Sequence, residues 1–193
     1  ESRRKGSPAN PGLMFLWASI WMLREIEVRN MKIRDVLRND KDRWTAIWLP
    51  TSKGDQQGSG IRRTLSCCGK ARCETHCPWR LAAKVMELAG DTLGVSEDYL
   101  FKDARDKIIT KRGVISSWKQ LFDKGVTGHS PRRSGAMFYV RRGLPIQELA
   151  FLGRWKSSVV FTYAEEALQE KPMALPVKLD MQVVDKLVDH VAK

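Results

Sequence analysis

Short apolar clusters, each fenced by proline or glycine, set the narrowest limit on what this chain can fold into. Leu13, Leu16, Trp17, Ile20 and Leu23 fall at helical spacing behind Pro11-Gly12, so one face of that helix must be buried, and the helix ends or bends near Arg24. A short helical stretch over Glu25 to Met31 follows, and Lys32 to Val36 reads as the entry to a strand. Trp44 to Leu49 is rich in aromatic and β-branched residues and Ile61 to Ser66 alternates. Between them, Lys53-Gly54-Asp55 to Gly60 is turn chemistry, which predicts a β-hairpin with a long basic tip. Pro78, then Leu81, Ala82, Val85, Met86 and Leu88, then Gly90, predicts a helix begun by proline and closed by glycine. Val114 to Phe122, Ser134 to Arg142 and Ile146 to Leu152 predict three more helices, punctuated by Gly125, Gly128, Gly143 and Gly153. The expected fold class is α+β, mainly helical, with a small antiparallel β-sheet.

No apolar run reaches the roughly 18 to 20 residues a membrane-spanning helix needs, because the longest, around Leu13 to Leu23, is broken by Ser19. At 193 residues and 42% hydrophobic, the chain can bury one full-sized core. It begins at Glu1 with no signal-peptide pattern and reads as a fragment of something longer. The expected layout is a linker over 1–12 from a missing N-terminal region, a main domain over 13–170, and a C-terminal linker and amphipathic helix over 171–193. In that last segment Met181, Val184, Leu187, Val188 and Val191 share a helical face.

Charge narrows the partner. Lys plus Arg number 34 against 22 Asp plus Glu, a net +12. The residues after Tyr163 carry six acids and four bases, which leaves +14 on residues 1–163. An excess of this size favours polyanions, nucleic acid above all, since each phosphate neutralised releases condensed counterions. Solubility alone also calls for surface Lys and Arg, so the charge needs a constellation beside it.

The segment Gly128-His129-Ser130-Pro131-Arg132 puts a His and an Arg three residues apart where a turn enters a helix. Further on, Leu152-Gly153-Arg154-Trp155-Lys156 is followed by Val159 to Tyr163, with the tyrosine ten residues beyond the glycine. Far upstream, Arg24 and Glu27 precede Met31-Lys32-Ile33 and Asp35. In this order these segments resemble the catalytic domain of the tyrosine recombinases, the phage-integrase family, including relatives in eukaryotic mobile elements. Arg24, Glu27, Met31 to Ile33 and Asp35 match its first box, His129 and Arg132 its His-x-x-Arg box, and Gly153 with Tyr163 its last box; its hairpin lysine falls on Lys53. The match runs from about Leu13 to Ala167. One departure stands out: where the family has His or Trp after the glycine, this chain has Arg154, with Trp155 next. Either a third cation contacts a phosphate oxygen there or Trp155 packs against the nucleophile.

The resemblance implies the tyrosine recombinase catalytic-domain fold over 13–170 and a phosphodiester transesterification. Tyr163 would attack the scissile phosphate to give a covalent 3′-phosphotyrosine while a 5′-hydroxyl departs and later attacks back. Arg24 and Arg132 would clamp the phosphate, since a guanidinium is a permanently charged fork that fits two oxygens. His129 would take part in proton transfer, and Lys53, with Lys41 as a stand-in, would protonate the leaving oxygen. Arginines then supply the charge stabilisation that Mg²⁺ supplies elsewhere, and no cofactor is expected.

Implied partners are double-stranded DNA and further copies of the chain, as a homo-tetramer on paired sites, with no membrane. The implied location is intracellular, with DNA, hence the nucleus in a eukaryote. Arg62, Arg63, Arg133 and Lys156 are the candidates for lining the DNA backbone. Two other functions remain open: a type IB topoisomerase with the same chemistry, and a DNA-binding module of the same fold that has lost cleavage. Taken singly, each site residue also has an ordinary reading: a packed Tyr163, a solvated Arg132-Arg133 pair, a capping His129. Trp17, Trp21, Trp44, Trp48 and Trp118 are expected in the core or on a sheet face.

Four cysteines, Cys67, Cys68, Cys73 and Cys77, cluster with His76 among them. Reduced structural thiols are the default reading in an intracellular protein. The lesser one is a zinc knuckle formed by Cys68, Cys73, His76 and Cys77, although the spacing lacks two separated ligand pairs.

Overall fold

Helix α1 (Pro11–Ile20) is the post around which the other elements are arranged. The computed structural model describes residues 5–50, 60–69, 76–155, 158, 160–162 and 165. Met14, Trp17, Ala18 and Ile20 are the buried residues of α1; of the face expected from spacing, Trp17 and Ile20 lie in it, Leu13 and Leu16 are only partly buried against the core, and Leu23 is buried beyond the helix end. Around it pack α2 (Glu25–Asn30), α3 (Pro78–Ala89), α4 (Lys111–Leu121) and α5 (Ser130–Arg141), while α6 (Ile146–Gly153) leans on α5. Trp118 fixes α4 to the start of α1: its Nε1 donates to Pro11 O at 3.1 Å and its ring meets Phe15 edge-on at 5.3 Å. Trp17, Trp21 and Trp118 are fully buried in one continuous core.

The predicted hairpin is present as β2 (Trp44–Leu49) and β3 (Ile61–Ser66), and β1 (Val36–Asn39) extends it to a three-stranded antiparallel sheet in the order β1-β2-β3. Val36 lies opposite Ile47, and Ala46 opposite Thr64. A 3₁₀ turn, Ile33–Asp35, occupies the expected strand entry, and the strand begins at Val36. Helix α3 lies against all three strands. Trp79 seats it there, with Nε1 on Asn39 O at 3.1 Å and the ring beneath the guanidiniums of Arg38 and Arg43, 4.5 and 5.0 Å away.

Near the N-terminus, Ala9 N donates to Lys102 O at 2.9 Å and Thr110 N to Gly6 O at 2.9 Å, so residues 6–9 are tied to the body of the fold. The chain is thus α+β with helix predominating. Among the described residues no helix is long and apolar enough to cross a membrane. The amphipathic helix expected over 171–193 lies outside the described residues.

Candidate active site

The site is built on the C-terminal end of α1. A helix leaves its last carbonyls without intrahelical donors, and cations collect there because those carbonyls carry the negative end of the helix dipole. Here the chain turns sharply, with Met22 in the left-handed region at φ 48°, and Leu23 N closes back on Ala18 O at 2.7 Å. The exposed acceptors are taken up by side chains from distant elements. Tyr139 donates its hydroxyl to Ile20 O at 2.9 Å, Arg132 donates Nη1 to Met22 O at 2.9 Å, and Arg154 reaches Met22 O at 3.2 Å and Trp21 O at 3.4 Å.

Arg24 follows at the N-cap of α2, and Glu27, in the first turn, reaches back to it. The Glu27 carboxylate accepts from Arg24 N at 2.7 Å and Arg24 Nη2 at 2.8 Å, and from Arg154 Nη2 at 3.0 Å. Arg24, Arg132 and Arg154 therefore converge on one carboxylate and one carbonyl. Glu27 and Arg154 are each only 5% exposed. Burial pushes the Glu27 carboxyl upward, yet Arg154 and then Arg24 outweigh it, and Glu27 sits below the ordinary carboxylate range. Burial lowers the Arg154 guanidinium from its ordinary value, with Glu27 opposing and the nearby charges of Arg24 and Arg63 adding to the fall.

Arg132 lies in the first turn of α5, a helix that starts at Ser130 with Pro131 beside its N-terminus. Helices α5 and α1 cross so closely that a Cβ on Gly135 would lie 2.0 Å from Ser19 O. The Arg132 guanidinium, almost fully buried, also donates to Gly153 O and rests on the Trp155 ring at 4.5 Å. Trp155 folds over Gly153, where a Cβ would come within 2.0 Å of its ring. Arg154 N bonds Phe151 O at 3.3 Å and Trp155 N bonds Ala150 O at 2.9 Å, the Schellman closure of α6, with Arg154 in the left-handed position usually held by glycine at φ 61°. That closure turns Arg154 inward to Glu27 and sets Trp155 against Arg132. At the position of the departure, Arg154 pairs with Glu27 and Trp155 stacks on Arg132; the alternative that Trp155 packs against Tyr163 lies outside the described residues.

His129 is exposed at the N-cap of α5, and the preceding Gly128 O accepts from Glu25 N at 2.9 Å, tying the His129 turn to the residue after Arg24. Arg62 is exposed with its guanidinium 5.5 Å from the Trp44 ring. Arg63 instead docks on α6, donating Nε to Phe151 O at 2.8 Å and lying 4.0 Å over the Phe151 ring, where burial lowers its pKa. Arg133 is exposed on α5. Tyr163, Lys53, Lys156 and Cys73 lie outside the described residues.

The spacing of the boxes marked Glu27 as part of a motif, but its grip on Arg154 was not legible, because the two residues meet only through the α6 closure. Nor did anything in the pattern point to the Met22 carbonyl. The cysteine ligand set also changes. Cys67, Cys68 and Cys77 gather their Sγ atoms within 4.8 Å of one another, while the His76 Nε2 lies 3.2 Å from Arg142 Nη2 and its ring packs on Phe138. Among the described residues, Cys67 therefore takes the place expected for His76.

Arg24 and Arg154 share the Glu27 carboxylate and Arg132 shares the Met22 carbonyl with Arg154, which leaves a local excess of positive charge, and Arg24 Nε is buried with no hydrogen-bond partner among the described residues. A buried donor without an acceptor is costly, and an anionic oxygen is what such a donor would take. No protein-family model and no curated protein matches the chain.

Proposed function

We propose that this chain is the catalytic domain of a tyrosine recombinase that cuts and rejoins double-stranded DNA through a 3′-phosphotyrosine at Tyr163. The observation that carries the reading is the meeting of Arg24 and Arg154 on Glu27 and of Arg132 and Arg154 on the Met22 carbonyl, with Arg24 Nε beside them buried and without a hydrogen-bond partner among the described residues. In-line displacement at a phosphodiester by a tyrosine oxygen needs charge neutralisation on the non-bridging oxygens, and fixed guanidiniums supply it without reorganisation.

The Tyr163 oxygen attacks phosphorus, the bond to the 5′-oxygen breaks, and that oxygen takes a proton from Lys53; His129 handles the tyrosine proton. Arg24, with its side chain 24% exposed, faces the phosphate, and Arg132, its Nη1 and Nη2 donated to the carbonyls of Met22 and Gly153, adds its fixed charge from behind. Arg154, 5% exposed and paired with Glu27, is a positioning residue that holds the carboxylate orienting Arg24. The fold is then that of the family's catalytic domain, and the working form is a homo-tetramer on paired DNA sites, in whichever compartment holds the DNA, the nucleus in a eukaryote.

The test is trapping on a nicked suicide substrate. A denaturation-resistant protein–DNA adduct that disappears in Tyr163→Phe supports the proposal. Intact DNA binding with no adduct assigns a DNA-binding module that has lost cleavage. An adduct accompanied by supercoil relaxation, without strand exchange between two sites, assigns a topoisomerase.

A further inference from the structure

We propose that Cys67, Cys68 and Cys77 bind a structural zinc ion that staples the end of β3 to the start of α3. The Sγ atoms of all three lie within 4.8 Å of one another, and Cys67 Sγ and Cys77 Sγ are 3.6 Å apart. Thiolates bound tetrahedrally to Zn²⁺ at about 2.3 Å stand roughly 3.8 Å from each other. A disulfide would bring two sulfurs to about 2.05 Å. The 3.6 Å gap, which a Cys77 S–H···Sγ Cys67 hydrogen bond spans without a metal, is already close to the first geometry and far from the second.

The setting also suits a metal. Cys67 follows the last residue of β3, and its N–H donates to Arg43 O at 2.7 Å, which anchors it to the start of β2. Cys77 is fully buried at the N-cap of α3, and Cys68 is exposed, so the site is closed on one side and open to loading on the other. Helix α3 has no side-chain cap and no acidic residue in its first turn. Three thiolates on Zn²⁺ carry a net charge of −1, which the positive end of that helix dipole favours. Thiolate donors select zinc over magnesium or calcium. His76 is turned to Arg142 and Phe138 and is no ligand in this arrangement. One tetrahedral position is left to a further ligand, and nothing in the proposal rests on Cys73.

The test is metal analysis of the whole chain purified under reducing conditions, separate from any DNA assay. Expected are one zinc per chain, a thiolate-to-metal charge-transfer band on replacement by Co²⁺, and a fall in melting temperature on chelation that added zinc reverses. Cys67→Ser and Cys68→Ser should each weaken zinc binding by more than about tenfold, since even outer-shell changes cost that much. His76→Ala should leave affinity unchanged. Cys68 is exposed, so its serine variant folds even if Cys77→Ser does not. A zinc-free chain with freely reactive thiols, a Cys67–Cys77 disulfide by mass, or zinc binding that is lost in His76→Ala and kept in Cys67→Ser would overturn the proposal.

Discussion

Gly135 shows how far a single missing methyl can govern this site. In an exposed helix, Gly→Ala stabilises by up to about 1 kcal/mol. Here the added Cβ would lie 2.0 Å from Ser19 O and 2.7 Å from Met22 Cγ. A backbone carbonyl cannot give way without moving the turn that supports Arg132 and Arg154, so Gly135→Ala should cost about 1 to 3 kcal/mol. Urea unfolding reads this directly, and a gain in stability would refute the close crossing.

The Glu27–Arg154 pair belongs to the same scale. Removing one member of a buried pair strands the other, so Glu27→Gln and Arg154→Met should each cost about 3 to 5 kcal/mol. The double variant should cost less than the two together by about 0.5 to 3 kcal/mol. A folded-state carboxyl below its ordinary value contributes stability above the unfolded carboxylate pKa, about 4.3, and loses it as pH falls through the folded value. Wild type should therefore lose stability below about pH 4.3 more steeply than Glu27→Gln. Buried Asp35, raised by desolvation, acts in the opposite sense in both proteins and cancels in the difference.

At the level of elements, patterning located the helices that show apolar periodicity among the described residues and misplaced the ends where polar chemistry decides. The first helix was expected to end or bend near Arg24; it stops at Ile20 because Met22 adopts φ 48°, and the carbonyls there are taken by Tyr139 at Ile20 and by arginines at Trp21 and Met22. Helix α5 was expected from Ser134 and starts at Ser130, since Ser130 to Arg133 offer no apolar rhythm and only Pro131 hints at initiation. That shift places Arg132 in a helical turn. The cost of losing an inter-element anchor is correspondingly large: Trp118→Ala, which removes a fully buried ring and its bond to Pro11 O, should destabilise by about 3 to 5 kcal/mol, read as a lowered denaturant midpoint.

For the molecule as a whole, the +12 charge was legible from composition, and the boxes foretold which arginines to look for. What composition could not say is how those arginines are spent. Arg63, expected on a DNA-facing ribbon, is docked on α6, whereas Arg62 and Arg133 are exposed. If DNA binding involves about 6 to 10 phosphate contacts, affinity should fall roughly 10³- to 10⁵-fold between 50 and 200 mM salt. Filter binding across that range tests it, and a flat response would argue against a backbone-tracking surface.

The Arg63 contact has a mechanical meaning. It holds β3 to Phe151 O, two residues before the carbonyl of Gly153 that receives Arg132. A tug on the hairpin is therefore felt at the buried guanidinium through a strut one side chain long, and whatever engages that ribbon also leans on Arg132.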